Sequence, residues 1–157
     1  MATTHFQTFI DAFAVIDERS RLLAGDYVQC PPSEVSGYQS TPKNAVTFAS
    51  MGVDGVHYAI LKIDGQVRDR SPVVHVSPMD SDDLSILADS FLSYLADGCG
   101  VSKQKMQAVF DAERSGKSEL VPFLSEHFDI YRLLGEERTH PLTSRYGHFI
   151  ERKSECA

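Results

Sequence analysis

Three side chains in the middle of the chain are of the types that carry out acid–base or metal chemistry. They are Asp54, in the segment Gly52-Val53-Asp54-Gly55-Val56-His57, then His57 itself and His75. A carboxylate beside an imidazole can orient it for proton transfer or share a metal ion with it. With Asp80 they predict a small metal-assisted hydrolase, provided that the ligands converge around an open position.

The same residues also fit a structural interpretation, in which positions 52–55 form a turn and both histidines are half-buried in a sheet. We favour it, because two histidines and an aspartate without tight spacing are weak evidence for a site. The sequence has no His-Glu-x-x-His, no Cys-x-x-Cys, no phosphate-binding loop and no Gly-x-Ser-x-Gly elbow. We therefore predict a protein that is not an enzyme and that needs no metal or cofactor.

A second group of candidate residues is acidic and falls on one segment, namely Asp80, Asp82, Asp83 and Asp89. The apolar spacing of this segment predicts a helix capped by Ser81. One interpretation is a docking face for a basic protein partner. The other is a solvated face whose first turn compensates the helix dipole. The sequence leaves both open.

Composition narrows the class of protein. The chain has 157 residues, of which 42% are hydrophobic and 24% charged, as in an ordinary globular domain. Fifteen basic against 22 acidic residues give a net charge of −7, which argues against nucleic-acid binding and permits a basic protein partner. There is no bilayer-length apolar run and no signal-peptide pattern, and the three cysteines are far apart. We expect one cytoplasmic domain over 1–157, not attached to a membrane.

The first half of the chain predicts one helix and two strands. Apolar spacing predicts an amphipathic helix over 4–24, and prolines predict a loop over 26–42. Residues 56–63 and 73–77 predict strands that are covered on both faces, because both are almost continuously apolar. Asp64-Gly65 is a hairpin signal. If that turn sets the register, His75 lies opposite Asp54.

The second half predicts helices. Three are expected, over about 82–97, 103–114 and 118–134, and a short strand is expected at 146–150. The rest of the tail, from 136 to 157, has no clear pattern. The order of helix, strands and then helices predicts an α+β fold, with a small central β-sheet covered by several helices in a single domain.

Several motifs of the sequence are similar to those of a known family. They are Thr41-Pro42, the run 45–49, the turn and strand over 52–58, the segment 71–78, and the apolar helix pattern 91–99. In these the chain resembles the SUKH superfamily, the Smi/Knr-like immunity-type proteins. The resemblance implies a central sheet flanked by helices and a non-enzymatic role, in which an immunity protein binds and neutralises a cognate bacterial toxin. Many such toxins are basic nucleases, which an acidic partner would suit. The sequence does not indicate an oligomeric state.

Overall fold

The computed structural model describes residues 3–35, 37–128 and 142–153. It has the α+β fold that the sequence predicts. The elements in chain order are α1 (His5–Ala14), β1 (Leu22–Leu23), β2 (Asp26–Ser33), β3 (Ala45–Ser50), β4 (His57–Leu61), β5 (Val73–Val76), β6 (Leu84–Ala88), α2 (Phe91–Cys99), α3 (Lys103–Arg114), α4 (Leu120–His127) and α5 (Leu142–Tyr146). Single 3₁₀ turns lie at Glu18–Ser20 and Gly147–Phe149. Within the described ranges, no helix has the length and apolar character that a membrane span requires.

The strands form one antiparallel sheet. Over the described residues its order is β1-β2-β3-β4-β5-β6, so every strand pairs with its neighbour in sequence. His57 pairs with Val76, and Val76 pairs with Leu84. The β3–β4 turn (residues 51–56) and the β5–β6 turn (77–83) therefore project from the same end of the sheet. We call it the turn end.

The first face of the sheet carries the main core. Helices α1 to α4 pack on it through a cluster of aromatic rings that meet edge to face, a favoured geometry. The rings in this cluster belong to Phe6, Phe9, Phe48, Phe91, Tyr94 and Phe110. Helix α1 begins at Thr4, whose hydroxyl accepts the Gln7 N–H at 3.1 Å. The apolar side of each helix is thus buried against the strands.

The second face is covered over only part of its width. Side chains of β4, β5 and β6 form a second apolar cluster, against which Leu142, Tyr146, Phe149 and Ile150 pack. The prediction that the strands over 56–63 and 73–77 are covered on both faces is confirmed. Ala45 of β3 belongs to the same cluster, and a groove lies farther along this face over β2 and β3.

The predicted helix over 4–24 is wrong beyond Ala14. The Arg21 guanidinium folds back and donates to the carbonyls of Phe13, Ala14 and Ile16 at 2.9–3.0 Å, which satisfies the end of α1. Gly25, the residue after the predicted helix, turns the chain from β1 into β2 with a φ of 88°.

The predicted loop over 26–42 is also wrong in its first half, which forms β2. Pro31 and Pro32 lie in this strand, near the edge of the sheet, where a missing N–H is tolerated. Arg21 donates to the carbonyl of Cys30 at 3.3 Å. At Thr41-Pro42 the chain passes through a turn into β3.

Two further predictions need correction. Residues 84–88 form β6, so the predicted helix over 82–97 begins only at Phe91, and its cap is Ser90. The predicted strand at 146–150 is the end of α5 followed by a 3₁₀ turn. The helix over 103–114 is confirmed as α3. The last predicted helix is confirmed over Leu120–His127, and its continuation to 134 lies outside the described residues.

Candidate functional site

His57 is a buried residue held by two hydrogen bonds. Its Nδ1–H donates to the Gly55 carbonyl at 2.7 Å, and its Nε2 accepts from the Thr41 hydroxyl at 2.9 Å. A carbonyl can only accept, so the proton must be on Nδ1. Burial lowers the pKa of His57, and the charge of Lys153 lowers it further, against the effect of the Gly55 carbonyl. His57 is therefore a neutral structural residue with both ring nitrogens engaged.

The other two candidate metal ligands do not join it. His75 pairs with Tyr58 across the sheet, and not with Asp54 as the turn-based register predicts. Residues 67–72 lengthen the second arm of the hairpin, which shifts the register. Asp54 is exposed in the β3–β4 turn with a φ of 53°. In the described part of the chain, no three His, Cys, Asp or Glu side chains form a group that could hold a metal ion.

The acidic candidates are not arranged along a helix. Asp80, Asp82 and Asp83 lie in the β5–β6 turn at the turn end of the sheet, whereas Asp89 follows β6 at the opposite end. Asp80 accepts a hydrogen bond from the Ser77 hydroxyl, and the Asp83 carboxylate lies 3.5 Å from Arg152. Asp80 and Asp82 are exposed and share their end of the sheet with Asp54.

The groove over β2 and β3 on the second face is lined by both polar and apolar side chains. Its volume is about 420 Å³, and its floor includes Gln29, Thr47 and Ser50. It exists because β2 departs from β3: Val28 pairs with Ala49 and Ser33 with Thr47, so that four residues of β2 face one of β3. This irregularity bends β2 outward and opens the sheet surface.

Exposed apolar side chains border this groove. Tyr27 is 54% exposed, Val35 84%, Tyr38 46% and Val53 57%, although tyrosine and valine are usually buried in a fold of this size. The Tyr27 ring lies over Gly52, where an added Cβ would come within 3.3 Å of it. Exposed apolar residues gathered around a concavity are typical of a binding surface.

A second cavity continues the groove toward the start of β3. Its volume is about 200 Å³, and Ser33, Val35 and Thr47 line both cavities. Lys43 and Lys153 lie at this second end, where the Lys153 ammonium donates to the Tyr38 carbonyl at 2.7 Å. Together the two cavities form one trough along β3, which we call the β3 trough.

The fold and this surface were compared with known proteins. No protein-family model, curated protein or solved structure matches the chain. The SUKH resemblance therefore remains an expectation that rests on the motifs between Thr41 and Cys99.

Sequence reasoning missed the β3 trough, because its residues come from segments predicted as a loop and a turn. One signal was present. Tyr27, Val35, Tyr38 and Val53 are apolar side chains that the helix and strand patterns did not use. Large apolar residues in turn-rich segments are candidates for a surface contact.

Buried polar side chains also lie on the first face, beneath α2. Asp26 is buried and its Oδ2 has no hydrogen-bond partner among the described residues, and the same holds for the hydroxyl of the buried Tyr94. Burial raises the pKa of Asp26 to about 7. Burial, with the nearby Asp26 charge, also raises the pKa of Tyr58 and of Tyr94. None of these three side chains lines the β3 trough.

Proposed function

We propose that this chain is a non-enzymatic protein-binding domain of immunity type, which binds and neutralises a cognate basic toxin through the β3 trough. The observation that carries the proposal is a set of exposed apolar side chains: Val35, Tyr38 and Val53 line the groove, and Tyr27 lies over Gly52 at its edge. Tyrosines are frequent anchors of protein interfaces, because they bury a large area and lose little conformational freedom. An enzyme is less well supported, since both nitrogens of His57 are occupied.

Charge supports a basic partner. The whole chain carries −7, and the turn end of the sheet presents three exposed carboxylates: Asp54, which lines the groove, and Asp80 and Asp82 in the β5–β6 turn. Carboxylates at the rim of an apolar surface speed encounter with a basic protein and select against acidic ones. This arrangement replaces the helical acidic face that the sequence suggested, with Asp89 outside it.

The test begins with capture of partners from the native lysate at low and moderate salt, using the wild-type chain and two variants. In the first, Tyr27→Ser and Val53→Ser remove apolar groups from the rim of the groove. The second is the matched control Val15→Ser, which changes an exposed valine (84%) just after α1, on a different part of the molecule. A captured protein is then produced pure, and its own activity is measured with and without each chain.

We expect one basic partner that the wild type and Val15→Ser retain and that the double variant loses. Its activity should fall when the wild-type chain is added, and its affinity should weaken as salt rises. A partner that binds the double variant as tightly as the wild type would refute the role of the groove. A partner whose activity is unchanged in the complex would refute neutralisation.

A further inference from the structure

The β3 trough is open at the surface and elongated. Its two cavities share Ser33, Val35 and Thr47 and follow the six residues of β3, Ala45–Ser50. A strand rises about 3.3 Å per residue, so six residues span roughly 20 Å. Small-molecule pockets are usually more enclosed and more apolar than this. The shape fits a short stretch of extended polypeptide.

The two ends of the trough carry opposite charge. Asp54 lies at the end next to the turn, and Lys43 and Lys153 lie at the other. Glu34 also lines the second end, but it forms an ion pair with Lys62. A ligand that matches both ends must be positive at one and negative at the other.

We propose that the β3 trough binds an extended segment of about six residues, with a basic side chain held by Asp54 and an acidic side chain held by Lys43. This inference rests on the proposed function, because it names the part of the partner that enters the groove. Thr47, Ser50 and Gln29 on the floor offer hydrogen bonds to the segment's backbone, and Tyr38 and Val53 contact its side chains.

The probes are four pools of synthetic hexapeptides, blocked at both termini, with four inner positions randomised among uncharged residues. Two pools carry Lys and Glu at opposite ends, in either order, which allows for both directions of binding. The others carry Lys at both ends or Glu at both ends. Dissociation constants come from the amide shifts of ¹⁵N-labelled protein at residues 50–57 and 43–47.

We expect at least one mixed pool to bind tighter than both like-charged pools, by about two- to fivefold for each matched charge, as for exposed ion pairs. Asp54→Asn should abolish the preference for the mixed pool over the Glu pool. Asparagine tolerates the positive φ of position 54, so the turn is kept. Lys43→Glu should abolish the preference over the Lys pool. The matched controls Asp17→Asn and Lys103→Glu, at exposed positions outside the trough, should change neither preference.

Equal binding of all pools would overturn the charge recognition and leave the protein-binding role intact. If no pool shifts the trough amides, the extended-segment inference fails, whereas the capture experiment with Tyr27→Ser and Val53→Ser still decides the proposed function. If instead the same amides shift with protein concentration alone, a second copy of the chain occupies the trough. That result would also overturn the inference.

Discussion

Tyr38 stacks on His57, with ring centroids 5.7 Å apart and ring planes 29° apart. The tyrosine belongs to the loop between β2 and β3, and the histidine begins β4, so this contact holds the loop against the turn end of the sheet. It depends on Gly55, since a Cβ there would lie 2.7 Å from the tyrosine hydroxyl and Cζ. The Tyr38 ring, which forms one wall of the β3 trough, can therefore take this position only because residue 55 is a glycine.

Gly55→Ala should therefore destabilise the fold and displace Tyr38. The φ of 71° alone strains an alanine, and the contact with the ring adds to it, for a total of about 1–3 kcal/mol in the free energy of unfolding. Urea unfolding followed by circular dichroism measures the loss. Gly65→Ala is the matched control, because it has a φ of 79° and no atom within 4 Å of the added Cβ. Equal losses in the two variants would contradict the role of the Tyr38 contact.

Thr41→Val should destabilise the protein by leaving the Nε2 of His57 buried without a donor. An unsatisfied buried acceptor costs about 1–3 kcal/mol. The control is Thr47→Val. Thr47 is a buried residue of β3, and the described structure gives no hydrogen bond for its hydroxyl. Unfolding in urea at pH 7.5 should show a loss for Thr41→Val that is clearly larger than that for Thr47→Val. The reverse order would contradict the hydrogen-bond assignment.

The tautomer of His57 can be observed directly. Because burial lowers its pKa below the ordinary value of 6.5, a smaller fraction of the His57 ring should be charged at pH 6 than of a free imidazole, and the neutral ring should carry its proton on Nδ1. Long-range ¹⁵N–¹H spectra between pH 5 and 8 report both points. The unfolded chain takes up this proton first, so His57 contributes stability that is lost as pH falls below 6.5. Protonation of His57 with a midpoint at or above 6.5 would contradict this prediction.

Asp26 should have the opposite effect on stability. Its pKa in the folded protein is about 7, above the ordinary value of 3.8, so the folded state holds the proton more tightly. The contribution is fully present below pH 4 and is lost as pH rises toward 7. Asp26→Asn, neutral at every pH, should therefore gain about 1–3 kcal/mol over the wild type between pH 4.5 and 8.

Urea unfolding at pH 4.5, 6 and 8 gives this difference. Asp64→Asn is the control, since Asp64 is exposed in a turn and asparagine accepts its φ of 53°. We expect the stability difference for Asp26→Asn to change more with pH than the difference for the control. If the two differences change equally with pH, the burial argument for Asp26 is wrong.

The sequence predicted the strands at 57–61 and 73–76 and helix α3 because the apolar pattern of each segment fits only one kind of secondary structure. The apolar pattern of residues 84–95 fits both a helix and a strand. Leu84, Leu87, Ala88 and Phe91 follow helical spacing, while Leu84, Ile86 and Ala88 also alternate as in a strand. Pairing with β5 decides between them, and pairing is a tertiary effect that local spacing does not contain.

The candidate site was less predictable than the fold. The expected pairing of Asp54 with His75 assumed two equal hairpin arms, and the unequal connection over 62–72 moved the register. The β3 trough depends on the shift in register between β2 and β3. In the sequence, Pro31 and Pro32 predicted only a loop at this place. The exposed tyrosines were visible in the sequence, but their assembly around one groove required the three-dimensional register.

The two prolines of β2 also disfavour pairing of this strand with a strand of another chain. Beyond its short pairing with β1, this strand runs near the edge of the sheet, where a bare row of donors and acceptors would recruit another chain and seed aggregates. Pro31 and Pro32 have no N–H to offer, and Arg21 already occupies the carbonyl of Cys30. This stretch of β2 therefore offers few backbone hydrogen-bonding groups to the strand of another chain.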